Sequence, residues 1–414
     1  LVGSEMCIRD RLYGELKWSP SMYDSSTGII RNYINPLIGD LPMQSITVKT
    51  VDIFIHDLHR TRSAAEKYHA VKQDYISDSQ VEKVFKLARC AFNQAVRWNV
   101  IPQNPFNQAN LCKAKCRERE IWDAETIRKA LDACRDANLY VCMNLSFACS
   151  LRIGEILGLT WNNVHISEPE IKDDDAWLYI MQELARVKRS ALAALNNKNI
   201  YHIFPAWTGK TTSTVLVLKK PKTDSSIRRV WIPKTVAYVL QELRKNQLHQ
   251  IELAGCDYTD YNLVIAFPDG HPCEEKRINQ AFTKLKAEAK LPDVVFHSLR
   301  HSSATYKLKL NHGDLKATQG DTGHAEIDML TKVYAHILDS DRKITAQRFE
   351  EAFYQPQDLP EQKDNISSSP DITALIAQIQ QYPELGKILS DVLAKQTSTD
   401  ENTENSNGNL SDSE

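Results

Sequence analysis

Apolar residues recur at helical spacing through most of the chain. Ser19 to Ile38 carries Tyr23, Ile29, Ile30, Tyr33 and Ile34 near that period, which predicts a helix stopped at Asn35-Pro36 and Gly39-Asp40. Thr47 is placed to cap a short helix with Val51, Phe54, Ile55 and Leu58 on one face. From Ser79 to Trp98, the residues Val81, Val84, Phe85, Ala88, Phe92, Ala95 and Val96 form one stripe of period 3.6. The opposite face carries Lys83, Lys86, Arg89 and Arg97, which reads either as a solvated face or as a DNA contact.

The pattern then breaks. Residues 111–120 (LCKAKCRERE) are polar and mostly basic, with no apolar face, as expected of a linker between domains. Helical periodicity resumes behind Asp123, with Ile127, Ala130, Leu131 and Cys134, and continues through Leu139 to Leu151 and Arg152 to Trp161. Strand-like runs interrupt it at Trp177 to Ile180, Thr214 to Leu218 and Arg229 to Ile232. The last two flank a polar turn and predict a hairpin with Lys222 near its tip; residues 185–210 read as a partly helical insertion. Helical patterns return at Thr235 to Leu248, Lys276 to Ala289, His301 to Leu310, Ile327 to Ile337 and Asp341 to Tyr354.

The expected fold class is therefore mainly α (α+β): a helical domain at 12–110, a linker at 111–120, and a mostly helical domain with a small antiparallel sheet at 121–354. Residues 1–11 (LVGSEMCIRDR) show no periodicity and read as a fragment edge or an artefact. Residues 355–414 predict an acidic, largely disordered tail with room for one short helical hairpin.

Composition refines this picture in three places. No run approaches the length of a membrane helix, no signal peptide is visible, and the nine cysteines are an odd number in a chain too large to need staples. Those features predict a cytoplasmic protein with reduced thiols. The net charge of -2 looks wrong for a partner of nucleic acid, but it hides a split. From Pro356 onward there are 11 acidic and 3 basic residues, which leaves 48 basic and 42 acidic residues in the body. A mildly basic body permits DNA binding without requiring it.

The chemistry concentrates at Val294-Val-Phe-His-Ser-Leu-Arg-His-Ser-Ser-Ala-Thr305, where His297, Arg300 and His301 fall within five residues after an apolar run. That density suits a site that grips a phosphate and moves protons. Other charged or polar residues stand at telling places. Arg152 lies between an apolar helix and Gly154, with Glu155 close behind; Lys222 lies in the polar turn; His324 lies in Gly320-Asp-Thr-Gly-His; Tyr334 follows ten residues later. Taken singly, each has a plainer reading: a structural ion pair, a solvated lysine, an exposed turn histidine, a packed tyrosine.

Taken in order, Arg152-Ile-Gly-Glu, the Pro-Lys-Thr turn, His297-Ser-Leu-Arg-His301, Thr322-Gly-His324 and Val333-Tyr-Ala-His336 resemble the tyrosine recombinase (phage integrase) family over about residues 12–354. The resemblance implies a DNA breaking-rejoining fold and a core DNA-binding domain ahead of the linker. It also implies a site-specific recombinase working through a 3′-phosphotyrosyl intermediate, as an integrase of a phage or mobile element. Tyr334 would be the nucleophile, with Arg152 and Arg300 as charged donors to the phosphate and Lys222 as proton donor to the leaving 5′-oxygen. His297 and His324 would donate to the phosphate or carry a proton. Glu155 and His301 would support the site. No metal or other cofactor is implied, since cationic side chains already cover the phosphate. The implied partners are double-stranded attachment-site DNA, three further copies in a tetramer, and accessory DNA-bending or excision factors; no membrane is implied. A dimer resolvase, a topoisomerase-like enzyme of the same chemistry and a non-catalytic DNA-binding descendant remain as alternatives. Two features depart from the family pattern: the polar Gly320-Asp-Thr before Gly323, and the insertion at 185–210.

Overall fold

The computed structural model describes residues 18–64, 74–109, 111, 120–206, 212–311, 314–316 and 318. The candidates His324 and Tyr334, the later helical patterns and the acidic tail lie outside the described residues, as does most of the 111–120 segment. The architecture is mainly α with two small antiparallel sheets.

Ser19 caps α1 (Pro20–Ile29), its side chain accepting from the Met22 N–H at 3.4 Å. Asn35-Pro36 does not stop this helix. A π turn at Ile30–Ile34 leads into α2 (Asn35–Ile38), and Gly39 ends the run. The wider turn explains the difference. The Asn35 N–H reaches back five residues to Ile30, so the helix is already loosened where the proline ring must fit. Thr47 caps α3 (Val48–His59), which buries Val51, Phe54, Ile55 and Leu58. Ser77 caps α4 (Asp78–Arg97), whose buried stripe includes Val81, Val84, Phe85, Ala88, Phe92 and Ala95. These helices close over one core from Trp18 to Phe106, with the Phe106 ring packed against Phe54, Phe85 and Phe92.

A second core runs from Trp122 to Leu299. Asp123 caps α5 (Ala124–Ala133), and Asp136 caps α6 (Ala137–Ala148). A short α7 (Ile153–Leu157) follows, and β1 (Val164–His165) and α8 (Glu168–Lys172) lead to β2 (Trp177–Ile180). The chain continues through β3 (Glu183–Lys188), α9 (Arg189–Ala194), β4 (Ile200–Ile203), β5 (Thr214–Lys219) and β6 (Arg228–Trp231). Three longer helices complete it: α10 (Lys234–Ala254), α11 (Glu275–Glu288) and α12 (Ser298–Leu310). Among the described residues, no helix is long and apolar enough to cross a membrane.

The predicted hairpin is wrong. β5 and β6 do not pair: one sheet has the order β1-β2-β6 and the other β3-β5-β4. Longer ladders win. β3 offers β5 an unbroken antiparallel register from Glu183↔Lys219 to Lys188↔Thr214, covering Val215 and Val217 with Val187 and Leu192. β6 instead pairs with β2 and places Val230 opposite Leu178, both buried in the main core. Residues 220–227 therefore bridge two sheets, and Lys222 sits on that bridge. The stretch read as a partly helical insertion carries α9 between the end of β3 and β4.

Helix α7 lies so close to β3 that side chains are excluded from the contact. A Cβ on Gly158 would stand 2.7 Å from the Leu184 amide nitrogen and 2.9 Å from the Glu183 carbonyl carbon; one on Gly154 would stand 3.2 Å from the Leu184 carbonyl oxygen. Because the obstacle at Gly158 is backbone, the strand itself must shift. Gly158→Ala should therefore lower stability by about 1–3 kcal/mol, the usual range for overpacking, and Gly154→Ala by less. Thermal unfolding of both variants measures this, and an unchanged midpoint for Gly158→Ala would show that close approach does not hold α7 in place.

Candidate active site

The site is assembled around the turn between α6 and α7. Ser150 there has a positive φ of 53°. Its carbonyl accepts from Nη1 of Arg300, and its hydroxyl lies 2.6 Å from that of Ser303. Arg300 and Ser303 both belong to the first half of α12, so this one turn ties α6, α7 and α12 together. Arg300 is 1% exposed, the largest side chain among the most deeply buried.

Arg152 caps α7. Its backbone N–H donates to Oε2 of Glu155 at 3.0 Å, and its Nη1 donates to Oε1 at 2.7 Å. This is one half of a capping box: a carboxylate in the first turn reaches back to the cap N–H, while the arginine side chain, which has no acceptor, donates to the same carboxylate instead. The same carboxylate takes Nη2 of Arg228 on Oε2 at 3.3 Å and Nη1 on Oε1 at 3.4 Å. Burial alone would raise the Glu155 carboxyl, but the charges of Arg228 and Arg152, the Arg152 N–H and the charge of Arg300 outweigh it. Its pKa therefore falls below the ordinary glutamate value, and it is ionised at neutral pH. Arg300 moves the other way. Burial, and then the like charge of Arg152, pull it down to about 9, with Glu155 opposing. It stays ionised near neutral pH.

The bridge 220–227 reaches this cluster from the sheets. Three lysines there have three environments. Lys219 is buried and ion-paired with Glu183 across the β3–β5 ladder. Lys220 pairs with Asp224 at 2.8 Å. Lys222 is exposed, with no hydrogen bond or ion pair to another described residue. The far end of the bridge is pinned: the buried Ser226 hydroxyl accepts from Arg152 Nη1 at 3.2 Å and lies 2.9 Å from that of Thr223, and the Ser226 carbonyl accepts from Arg228 Nη1 at 3.0 Å.

His297 sits at the N-cap of α12 and is exposed. Its ring meets that of His301, half-buried one turn on, edge to face at 4.8 Å. The structure thus brings Arg152, Glu155 and Arg300 together, with Lys222 on a bridge fastened to Arg152 and His297 at the head of the helix that carries Arg300. His324 and Tyr334 lie outside the described residues. Lys83, Lys86, Arg89 and Arg97 are exposed on α4, well apart in sequence from this cluster, and Lys86 pairs with Glu82 at 2.6 Å. Among the described residues, no group of three His, Cys, Asp or Glu side chains is placed to hold a metal ion.

Arg228, Ser226 and Ser150 were not anticipated from sequence. Arg228 had a usable signal. It shares strand parity with Val230 and Ile232, both buried, so an arginine stands where the alternation calls for an inward side chain. Ser150 had none, because its role rests on its backbone.

A helical bundle preceding a mostly helical unit with an inserted sheet, closing on paired arginines, defines the fold class of DNA strand-breaking and rejoining enzymes. A solved structure of the Tn1549 transposon integrase, in complex with a circular intermediate DNA, shares this fold with a TM-score of 0.62 at 16% identity, over 84% of this chain and 99% of that one. The phage integrase family matches residues 121–341, more than half of the chain, and the chain belongs to it: it is a tyrosine recombinase. Similar relatives include a tyrosine recombinase XerC-like protein of Caldanaerobacter subterraneus subsp. tengcongensis, 24% identical over 77% of this chain and 75% of the relative. The ICEBs1 integrase of Bacillus subtilis is 19% identical over 81% of this chain and 79% of its own length.

Proposed function

We propose that the chain acts in the cytoplasm as the integrase of a phage or integrative element, cutting and rejoining attachment-site DNA through Tyr334. The observation that carries this reading is the cationic cluster: Arg300 buried and Arg152 half-buried around one ionised Glu155, with the Lys222 bridge pinned to Arg152. Two guanidinium groups so held present planar donors, charged near neutral pH, to the non-bridging oxygens of a phosphodiester. Donors fixed before the reaction stabilise the charge that develops as the phosphate is attacked.

In the proposed step the Tyr334 hydroxyl oxygen bonds to phosphorus and the bond from phosphorus to the 5′-oxygen breaks. The tyrosine proton passes to His297 or His324, and Lys222 gives a proton to the departing 5′-oxygen. The phosphotyrosyl ester keeps the energy of the broken linkage, so a 5′-hydroxyl from another strand can reverse the step. Glu155 orients Arg152, and His301 buttresses His297. The bundle at 12–110, including Lys83, Lys86, Arg89 and Arg97, forms the other half of a grip on the duplex, and four copies act together with accessory DNA-bending factors. Integration is favoured over dimer resolution by the names of two relatives, the ICEBs1 and Tn1549 integrases; the XerC-like name keeps resolution as the second reading.

The test uses nicked duplexes covering the DNA that flanks the coding sequence, in which cleavage releases a short fragment and cannot reverse. A denaturant-stable protein–DNA adduct on one such site is expected. Absence of any adduct across the flanking DNA overturns the integrase reading.

A further inference from the structure

Arg228 is 8% exposed at its side chain and stands against a carboxylate that is fully buried. Its Nε is buried and has no hydrogen-bond partner among the described residues, so within them the guanidinium is held through its two terminal nitrogens. Those nitrogens do two things at once. Both contact Glu155, at 3.3 and 3.4 Å, and Nη1 also donates to the Ser226 carbonyl at 3.0 Å. Glu155 has a second hold on α7 through the Arg152 backbone and side chain, whereas among the described residues the side-chain ties from the end of the Lys222 bridge to this cluster are those of Arg228 and of Arg152 to Ser226. Loss of Arg228 should therefore loosen the bridge more than it loosens Arg152.

We propose that Arg228 is a positioning residue for leaving-group protonation: it fastens the Lys222 bridge to the Glu155 carboxylate and so fixes where the lysine delivers its proton. The inference rests on the assignment of Lys222 as proton donor, and the experiment separates the two. A small displacement of a reacting group can cost about 10²-fold in rate, which sets the scale expected for Arg228→Met on an ordinary phosphodiester. Site binding should change little, because the arginines that meet the phosphate remain.

A merely structural role would slow every substrate alike. A bridging sulfur in place of the 5′-oxygen distinguishes the cases, since a thiol has a pKa of about 8.5 and leaves as thiolate without a proton. Single-turnover cleavage is measured on the oxygen and sulfur substrates for wild type, Lys222→Ala, Arg228→Met, Arg228→Lys and the Lys222→Ala/Arg228→Met double variant. The sulfur should restore most of the lost rate in Lys222→Ala and in Arg228→Met, and adding Arg228→Met to Lys222→Ala should slow the oxygen substrate little further. Arg228→Lys keeps a charge against Glu155 but cannot span both partners, so it should show the same sulfur rescue. It decides the question by that ratio should the Met variant fail to fold. If Lys222→Ala is rescued and the Arg228 variants are not, the inference falls and the lysine assignment stands. If Lys222→Ala is itself not rescued, the lysine assignment fails and the inference with it.

Discussion

Tyr334→Phe should abolish the covalent adduct and all strand exchange while leaving site binding within a few-fold of wild type. The substitution removes one oxygen and keeps the ring, so packing around it is preserved. The oxygen is the atom that must bond to phosphorus, and no arrangement of arginines substitutes for it. Loss of a nucleophile from a hydrolytic triad reduces turnover by about 10⁶-fold, and an effect on that order is the expectation here. The cationic cluster should still hold the scissile phosphate, because Arg152 is held by Glu155 and Arg300 by the Ser150 carbonyl. Gel-shift and trapping assays on one nicked site separate the two quantities. An adduct that persists in the Phe variant moves the nucleophile to another residue, whereas loss of binding together with cleavage makes Tyr334 structural.

Legibility followed the kind of interaction that decided each element. Helices α3 and α4 were readable because the Thr47 cap of the first and the buried stripes of both are local properties of the sequence. Strand partners were not. Thr214 to Lys219 looks equally apt for a hairpin with Arg228 to Trp231 or for the register with Glu183 to Lys188, and only the longer non-local ladder and the core beneath it decide. Pro36 was misread as a stop because a π turn upstream is invisible in composition. In the site, residue types that chemistry demands were legible: two arginines, a carboxylate and the density around His297. The parts that hold them were not. Ser150 contributes a carbonyl turned inward by its backbone, and Arg228 contributes through a carboxylate distant in sequence.

That distinction bears on how the cluster stores its charge. Three guanidinium groups, of Arg152, Arg228 and Arg300, act on one carboxylate, Glu155. Arg152 and Arg228 both hydrogen-bond to it. Arg300 is buried beside them, and burial and the like charge of Arg152 lower its pKa, with Glu155 opposing. A phosphate entering the site would add negative charge beside guanidinium groups whose charged form burial and mutual repulsion disfavour, so binding free energy is directed at the reacting group.

Arg300→Met should follow from this with opposite consequences for activity and stability. Cleavage should fall by roughly 10³-fold, the scale of losing a principal preorganised donor to a developing oxyanion. Stability should change far less than burial of so large a side chain suggests. Methionine leaves the Ser150 carbonyl without its donor, a loss of about 1–3 kcal/mol for a buried acceptor. Against this, a buried guanidinium carries a desolvation cost of several kcal/mol that a methionine side chain does not. The two terms nearly cancel, so the thermal midpoint should stay close to wild type or rise, while the variant fails to cut. Anions should separate the proteins further: millimolar sulfate should raise the midpoint of wild type more than that of Arg300→Met, since only the former keeps both guanidinium groups of the cluster. A variant that retains cleavage within tenfold removes Arg300 from the phosphate, and one that unfolds makes it a structural arginine whose place in the core outweighs its charge.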